Sequence, residues 1–342
     1  MKKKIVIAVD AMGGDNSPKK IIDGIELYHQ RNKNIFYKLF GKKNLIENSL
    51  KNKKIDKNNY EILHTDNIIK GEDTALTAAK RGKSTSMWMT IDSVKNKTSD
   101  IALSAGNTGA LFVIAKLNLE MIDKIDKPAL SGLWPNKSGM NIVLDLGANI
   151  ECNEKNLIDF SEMGAALYKS IFPDQKPKVS LLNIGSEEIK GTEVLKKAYT
   201  ELKDLSDDEN FIFNGYIEGN KIMDGETNVI VTDGFTGNIA LKTAEGTAKF
   251  LTDSLKKSLS ENIFSKLSII FSYFSLRKFK AKLDPRKYNG AIFLGLNGPV
   301  VKSHGGTDSV GFYYSIDLCY RIIKGNLMHQ IKNNLSHLDV KD

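Results

Sequence analysis

The chain has 342 residues, of which 41% are hydrophobic and 26% are charged, and its formal net charge is +8. These proportions are typical of a soluble globular protein with a sizeable core, and no run reaches the roughly 18 apolar residues of a membrane span. Two cysteines, Cys152 and Cys319, fit neither a metal site nor a disulfide framework, which favours a reducing cytoplasm. The positive charge suits nucleic acid, anionic lipid or an acidic protein, or it reflects a lysine-rich composition.

Short apolar runs alternate with helical patterns along most of the chain. They span residues 4–10, 35–41, 60–64, 100–104, 140–146, 178–184, 228–232 and 290–296. Several are almost continuous in apolar residues, which is typical of strands buried on both faces. The first run is cut short by Asp10, so we interpret it as a strand and not as a secretion signal. Strands that alternate with helices predict a mostly parallel sheet covered by helices.

One segment lacks strands. From Thr236 to about Leu283 the helical periodicity is unbroken, and basic residues flank its apolar positions. One helical face carries Ile263, Phe264, Leu267, Ile270, Phe271 and Phe274. Such a face is typical of a helix that packs on a dimer partner or lies on a membrane surface. We therefore expect one α/β catalytic domain over residues 1–342, with a helical dimer or membrane arm at about 240–287.

Six polar, glycine-containing turns follow the predicted strands or precede the last helix. They span residues 10–15, 104–109, 145–149, 183–188, 233–238 and 303–308. Glycine lets backbone N–H groups approach a ligand, and helix N-termini attract anions. Because ligands of open α/β sheets bind at the carboxyl ends of the strands, we expect these turns to converge on one edge and form an anion site.

Familiar cofactor and metal motifs are missing. Residues 81–84 resemble the end of a P-loop, but Thr77 stands where that motif needs glycine. No G-x-G-x-x-G follows the first strand, no His pair or Cys cluster suggests zinc, and no G-x-S-x-G elbow occurs. We expect no cofactor and no metal. His304 is the one histidine within a glycine-rich turn, and a catalytic role competes there with a structural one.

In this order, the turns resemble those of the phosphate acyltransferase family (the PlsX type). The resemblance rests on residues 7–15, 104–111, 145–149, 183–191, 233–238 and 288–305, and so covers nearly the full length. It implies a three-layer α/β/α fold of the isocitrate dehydrogenase type and a homodimer. It also implies transfer of a fatty acyl group from acyl carrier protein to inorganic phosphate, which yields acyl phosphate for phospholipid synthesis.

The family further implies a cytoplasmic enzyme that associates peripherally with the inner face of the cell membrane. Phe264, Phe271 and Phe274 are the side chains that we expect to touch lipid. The expected partners are therefore acyl carrier protein, inorganic phosphate, a second copy of the chain and a membrane surface, and not nucleic acid.

Phosphate itself is the nucleophile in such a reaction, and a thiolate leaves readily, so the protein must supply positioned donors and cations. We assign catalytic roles to Asn107, Lys190, Asn238 and His304, with Lys190 or Lys242 as the phosphate-binding cation. The predicted phosphate- or substrate-binding residues are Asp10, Gly13, Gly14, Ser104, Gly106, Thr108, Gly109, Asn149, Asn183, Gly185, Glu187, Asp233, Gly237 and Lys242.

Three alternatives stay open at this point. One is a short-chain phosphate acyltransferase, and another is a decarboxylating dehydrogenase of related fold, which binds its cofactor without the dinucleotide fingerprint. The third is a non-enzymatic membrane scaffold that gathers lipid-synthesis enzymes. The crowded polar turns disfavour the scaffold, which needs no such cleft.

Overall fold

The computed structural model describes residues 4–205 and 210–336, apart from the side chains of Ile263, Lys266, Leu267 and Lys282. The strands are β1 Ile5–Asp10, β2 Ile35–Gly41, β3 Tyr60–His64, β4 Ile101–Ser104, β5 Ala129–Asn136, β6 Gly139–Leu144, β7 Lys178–Asn183, β8 Ile212–Glu218, β9 Val229–Val231, β10 Ala291–Leu294 and β11 Val300–Lys302. The helices are α1 Lys19–Arg31, α2 Lys43–Leu50, α3 Ala75–Arg81, α4 Ser86–Lys95, α5 Thr108–Leu119, α6 Glu154–Ile171, α7 Glu193–Leu205, α8 Gly234–Ser260, α9 Ile263–Lys282, α10 Ser309–Lys324 and α11 Leu327–Ser336.

All these strands form one sheet, in the order β3-β2-β1-β4-β11-β10-β5-β6-β9-β7-β8. The strands from β3 to β11 are parallel to one another, and so are those from β6 to β8. Between these two blocks the pairs β11–β10, β10–β5 and β5–β6 are antiparallel. The predicted mostly parallel sheet is thus confirmed.

Three successive reversals of direction make the two parallel blocks run in opposite senses. The carboxyl ends of β1, β4 and β11 therefore lie at one edge of the sheet, and those of β6, β7 and β9 lie at the other. The expectation that all six polar turns converge on one edge is wrong. Its cause is the antiparallel centre, which contains two strands, β5 and β11, that the sequence pattern did not indicate.

Successive side chains of a strand point to opposite faces of the sheet, and helices cover both faces. Within β4, Ile101 and Leu103 enter the largest core cluster, together with residues of α1, α6, α10 and α11. Ala102, between them, points to the other face and joins the core that α4 and α5 form. Farther along the same face, residues of α8 pack at the margin of a third cluster. These layers confirm the predicted three-layer α/β/α class.

The strands that pattern reading missed have local reasons to look like loops. β5 contains Gly132 and Pro135, residues that are depleted in strands. β8 is interrupted by Gly215, whose φ is +70°. β11 has only three residues. In each case hydrogen bonding to neighbouring strands stabilises the extended backbone, for which the local sequence has little preference.

In the structure, the helical arm consists of two helices. α8 ends at Ser260, and Asn262 caps α9 by accepting a hydrogen bond from the backbone N–H of Ser265. Within α8 the buried residues are Gly234 and Gly237, both at its start. The arm beyond them protrudes with large apolar side chains exposed. Among the described residues, no helix is both long and apolar enough to cross a bilayer.

Candidate active site

The first candidate site lies where β1 and β4 end side by side. Asp10 and Ser104 are register partners on these parallel strands, and both are buried. Ser104 Oγ donates to Asp10 Oδ2 over 2.8 Å and accepts from the backbone N–H of Gly106 over 3.1 Å. Burial raises the pKa of Asp10 above its ordinary value. The two strand ends are thereby tied together around a carboxyl group that resists ionisation.

Gly13 and Gly14 allow the loops of this site to touch. A Cβ on Gly13 would lie 2.7 Å from the backbone nitrogen of Gly106, and one on Gly14 would lie 2.7 Å from the carbonyl oxygen of Ala105. Gly14 also has a φ of +77°, in the left-handed region that disfavours side chains. Any larger residue at these positions would separate the two loops. The predicted Gly13, Gly14 and Gly106 are thus brought together.

Two buried lysines that the sequence analysis did not single out complete this region. Lys20, on α1, is 6% exposed and Lys302, at the end of β11, is 9% exposed. The Lys20 ammonium donates to the carbonyl of Gly305, and that of Lys302 donates to the carbonyl of Ser303. Burial, assisted by the charge of Lys20, lowers the pKa of Lys302 to about 8. The only sequence signal was their proximity to the glycine turns, with Lys302 two residues before His304.

His304 lies in the loop that follows β11, two residues after Lys302. Its backbone N–H donates to Asn289 Oδ1 over 3.0 Å, and its Nδ1 accepts from the backbone N–H of Gly306 over 3.2 Å. Because Nδ1 is the acceptor, the neutral ring carries its proton on Nε2. Burial and then the charge of Lys302 lower the pKa of His304. The loop therefore presents a neutral imidazole whose Nε2–H has no acceptor among the described residues.

Helix α8 approaches the same loop from the other half of the sheet. Lys242 lowers and Glu245 raises the pKa of His304, so both charges lie within electrostatic range of the imidazole. Their side chains pair with each other, with 2.8 Å between Lys242 Nζ and Glu245 Oε2, and both are exposed. α8 therefore links the two edges of the sheet through its first turns.

Asn107 caps α5 beside the Asp10–Ser104 pair. Its Oδ1 accepts from the backbone N–H of Ala110 over 2.9 Å. Its Nδ2 donates to the carbonyls of Gly71 and Asp73 over 2.8 and 3.2 Å. The side chain therefore has a structural role, because it caps the N-terminus of α5 and binds the loop at residues 71–73. Thr108 and Gly109, the next residues, are exposed at the start of α5.

At the opposite edge, a buried carboxylate organises the turn after β6. Asp145 is 0% exposed and accepts backbone N–H groups of the turn residues 147–149 over 2.8–3.1 Å. It also accepts from the backbone N–H of Leu130 over 3.0 Å and from Asn149 Nδ2 over 2.8 Å. Asn149 Nδ2 in turn reaches the carbonyl of Pro128. The predicted residue Asn149 is thus part of a self-contained hydrogen-bond network.

The start of α8 closes over this turn. Asp233 caps the helix by accepting from the backbone N–H of Thr236 over 2.8 Å. Asn238 Nδ2 donates to the carbonyl of Leu146 over 3.1 Å. A Cβ on Gly237 would lie 1.9 Å from the carbonyl oxygen of Asp145, so only glycine fits there. The predicted residues Asp233, Gly237 and Asn238 therefore lie together, away from Asp10 and Ser104.

The turn after β7 holds the remaining predicted residues. Asn183 Nδ2 donates to the carbonyl of Lys190 over 3.1 Å, and Gly185 lies against the Lys190 side chain. Lys190 Nζ lies 2.8 Å from Glu187 Oε1, and both side chains are about half exposed. The hydrogen bond from Lys190 lowers the pKa of Glu187. The catalytic role of Lys190 stays a prediction, since in this arrangement its charge already has a partner.

The chain matches known proteins over nearly its full length. Residues 5–330 match the family model described as "Fatty acid synthesis protein". The chain is 60% identical to the phosphate acyltransferase of Pelagibacter ubique over 335 residues, which cover 98% of this chain and 100% of the relative. It is 42% identical to the phosphate acyltransferase of Parvibaculum lavamentivorans, over 99% of this chain and 93% of the relative.

Solved structures confirm the fold. A EutD phosphotransacetylase from Staphylococcus aureus superposes with a TM-score of 0.62 at 13% identity, over 94% of each chain. A phosphotransacetylase from Streptococcus pyogenes gives 0.62 at 15% identity, over 96% of this chain and 95% of that one. Such low identity shows a common architecture alone. By the family model and the full-length relatives, this chain belongs to the phosphate acyltransferase family of fatty acid synthesis proteins.

Proposed function

We propose that the protein transfers a fatty acyl group from the thioester of acyl carrier protein to inorganic phosphate. The products are acyl phosphate, which supplies phospholipid synthesis, and free carrier thiol. The observation that carries this proposal is the glycine-lined, positively charged site at the ends of β1, β4 and β11, in a chain of the phosphate acyltransferase family. Backbone N–H groups and buried cations of this kind suit a phosphate group.

The reaction needs no nucleophile from the protein. A phosphate oxygen forms a bond to the thioester carbonyl carbon, the carbon–sulfur bond breaks, and the sulfur leaves as a thiolate that takes up a proton. Neither cysteine is poised to attack, because burial raises the pKa of Cys152 to about 11 and also raises that of the fully buried Cys319. His304 supplies an Nε2–H for the developing oxyanion or the departing sulfur, and Asn107 and Asn238 stay further candidates as donors.

The direct test is a coupled assay on the purified full chain. We expect release of free carrier thiol from a long-chain acyl carrier protein thioester only when inorganic phosphate is present, without added nucleotide or metal. Acetyl and other short-chain thioesters should be poorer donors, which separates this activity from that of a phosphotransacetylase. Turnover that requires NAD or ATP, or that ignores phosphate, would overturn the proposal.

We further propose that the carrier protein is attracted electrostatically. The chain carries a formal net charge of +8, and acyl carrier proteins are acidic. Salt screens exposed charges over a Debye length of about 10 Å at 0.1 M. The KM for the carrier thioester should therefore rise with sodium chloride concentration, while the KM for a small thioester analogue stays nearly constant. A salt-independent KM for the carrier thioester would contradict the electrostatic attraction.

The exposed arm supports two further assignments, a homodimer and peripheral contact with a membrane. Phe264, Phe271 and Phe274 are 80%, 90% and 81% exposed, which is costly for side chains of this size unless another surface covers them. Basic residues follow at Arg277 and Lys278, as in helices that lie at anionic lipid surfaces. We propose that the base of α8 packs on a second copy and that α9 touches lipid.

A vesicle flotation experiment tests the lipid contact. Phe271→Glu combined with Phe274→Glu should abolish flotation with anionic vesicles, while a sizing column shows an unchanged dimer. Ser272→Glu combined with Ser275→Glu adds the same charge on the same helix without removing apolar area, so it serves as the matched control. Equal flotation of the two double variants, or a monomeric Phe variant, would assign the aromatic face to packing instead.

A further inference from the structure

Two buried ammonium groups lie near each other without a carboxylate. Lys20 and Lys302 are both more than nine-tenths buried, and the charge of Lys20 lowers the pKa of Lys302. Within the described residues, neither ammonium has a carboxylate oxygen within 4.0 Å. The charge that acts on Lys20 in the opposite sense is Asp15, which is exposed. Burial of like charges is costly, so an apo protein keeps this arrangement only at the expense of its stability.

Asp10 does not serve as their counterion. Its carboxyl group accepts hydrogen bonds from Ser104 Oγ and from the backbone N–H of Met12. Burial raises its pKa, which favours the neutral form of the carboxyl group. Asp10 thus stabilises the loops through hydrogen bonds and does not neutralise the positive charge of the two lysines. The site has an excess of cations over anions that the described residues do not neutralise.

Donors around the lysines remain available. Each ammonium has three N–H groups, and each donates one hydrogen bond, to a backbone carbonyl of the loop at residues 303–305. In the part of the chain that the structure describes, the backbone N–H groups of Gly14 and Gly305 find no acceptor. A small anion with several acceptor oxygens is the ligand that matches two cations and unpaired N–H groups.

We propose that Lys20 and Lys302 form the recognition site for the tetrahedral phosphate acceptor of the reaction. This inference rests on the proposed function and replaces the cation expected from sequence, Lys190 or Lys242. Those two lysines are exposed, and each already pairs with a glutamate at 2.8 Å. A phosphate ion would have to displace that glutamate, whereas at Lys20 and Lys302 it supplies the missing negative charge.

The position of His304 gives the assignment a catalytic meaning. Lys302 ends β11 and its charge lowers the pKa of His304, two residues later, so a phosphate held by the lysine would lie within electrostatic range of the imidazole. The phosphodiester of a carrier's prosthetic arm shares the chemistry of phosphate, but it has one negative charge where inorganic phosphate has up to two. Two ammonium groups therefore favour the acceptor phosphate over the diester.

The experiment uses the full chain with single substitutions of each lysine. Lys302→Met and Lys20→Met keep most of the length of the unbranched side chain and remove its charge. We expect the KM for inorganic phosphate to rise about tenfold or more for Lys302→Met, while the KM for the carrier thioester changes little. Lys302→Arg should restore part of the affinity. Lys19→Met is the matched control, since Lys19 is on the same helix and its side chain is 80% exposed.

Direct binding separates this inference from the proposed function. Inorganic phosphate, titrated into each variant and followed by ³¹P line broadening, should bind the parent chain and Lys19→Met but not Lys302→Met. Circular dichroism checks that each variant is folded, and Lys20→Met gives an independent answer if Lys302→Met is not. Unchanged phosphate binding in both methionine variants, or a rise only in the KM for the thioester, overturns the inference even if the parent enzyme has the proposed activity. If the parent lacks turnover yet loses phosphate binding with Lys302→Met, the anion site stands and the proposed reaction fails.

Discussion

The loops after β1, β4 and β11 and those after β6, β7 and β9 look alike in sequence but differ in how their charges are balanced. In the second set, Asp145 is surrounded by N–H donors, and Lys190 pairs with Glu187. In the first set, Lys20 and Lys302 are buried with backbone carbonyls as their hydrogen-bond partners. In the second set the charged groups Asp145 and Lys190 already have partners, whereas the buried cations of the first set retain the capacity to bind a charged ligand.

This difference teaches that a glycine-rich turn is not by itself a binding site. The same residue types build a turn around Asp145 whose charge accepts several N–H groups, and a turn near Asp10 beside two buried cations that no carboxylate of the described residues pairs with. Burial without a partner is the distinguishing property, because a structure without a ligand gains nothing from it. We therefore expect substitutions around Asp145 to lower stability and substitutions near Asp10 to lower activity.

The largest expected effect belongs to the closed turn. Asp145→Ala removes the acceptor of several buried or half-buried N–H groups, each of which costs about 1–3 kcal/mol when left unpaired. We expect the free energy of unfolding to fall by about 3 kcal/mol or more in a denaturant titration. Asp145→Asn, which keeps one acceptor oxygen and the shape, should lose less. If Asp145→Ala is as stable as the parent but has reduced turnover, the turn has a catalytic and not a structural role.

Substitution of His304 should lower turnover and leave the stability nearly unchanged. His304→Ala removes the Nε2–H donor from the open site, and we expect turnover to fall about 10²-fold or more with little change in the denaturation midpoint. Since burial and Lys302 lower the pKa of His304, the neutral ring should persist below the usual value of about 6.5. Activity should therefore decline only at more acidic pH, where protonation of Nδ1 breaks the hydrogen bond from Gly306. An acid limb at or above the usual histidine pKa would contradict the geometry.

A gain in stability is expected when a buried charge is removed. The pKa of Lys302 is about 8 in the folded chain against an ordinary 10.5, so the folded state binds fewer protons than the unfolded state between these values. The resulting penalty is fully present below pH 8 and fades as the pH approaches 10.5. Lys302→Met should thus be more stable than the parent by about 2 kcal/mol at pH 7, and by less at pH 10. A methionine variant that is less stable at pH 7 would argue against an uncompensated charge.

The smallest expected effect concerns the exposed pair of Lys190 and Glu187. Solvent screens this pair, and exposed ion pairs contribute little to stability. We expect Lys190→Ala to unfold at the same denaturant concentration as the parent within error. Its KM for phosphate should change less than that of Lys302→Met. A larger change for Lys190→Ala would return the phosphate cation to the residue expected from sequence.

Much of the architecture could be read from the sequence. Apolar runs such as residues 35–41 mark strands because buried strands need apolar side chains on both faces, and these bounds agree with β2. The run at residues 60–64 agrees with β3, which is the edge strand and is partly exposed. The turn motifs were sufficient to indicate the family. The residues Asp10, Gly13, Gly14, Ser104, Gly106 and His304 were identified among the site candidates, and the structure brings them together because their strands are neighbours.

Only the tertiary structure decided the rest. The short strands β5 and β11 carry weak local signals, and the three antiparallel pairings they help to form send the turns after β6, β7 and β9 to the opposite edge. Lys20 and Lys302 look like any other lysines in a lysine-rich chain. What distinguishes them is burial with no carboxylate of the described residues in ion-pair distance, which depends on the packing of α1 against the loop after β11 and not on a local sequence pattern.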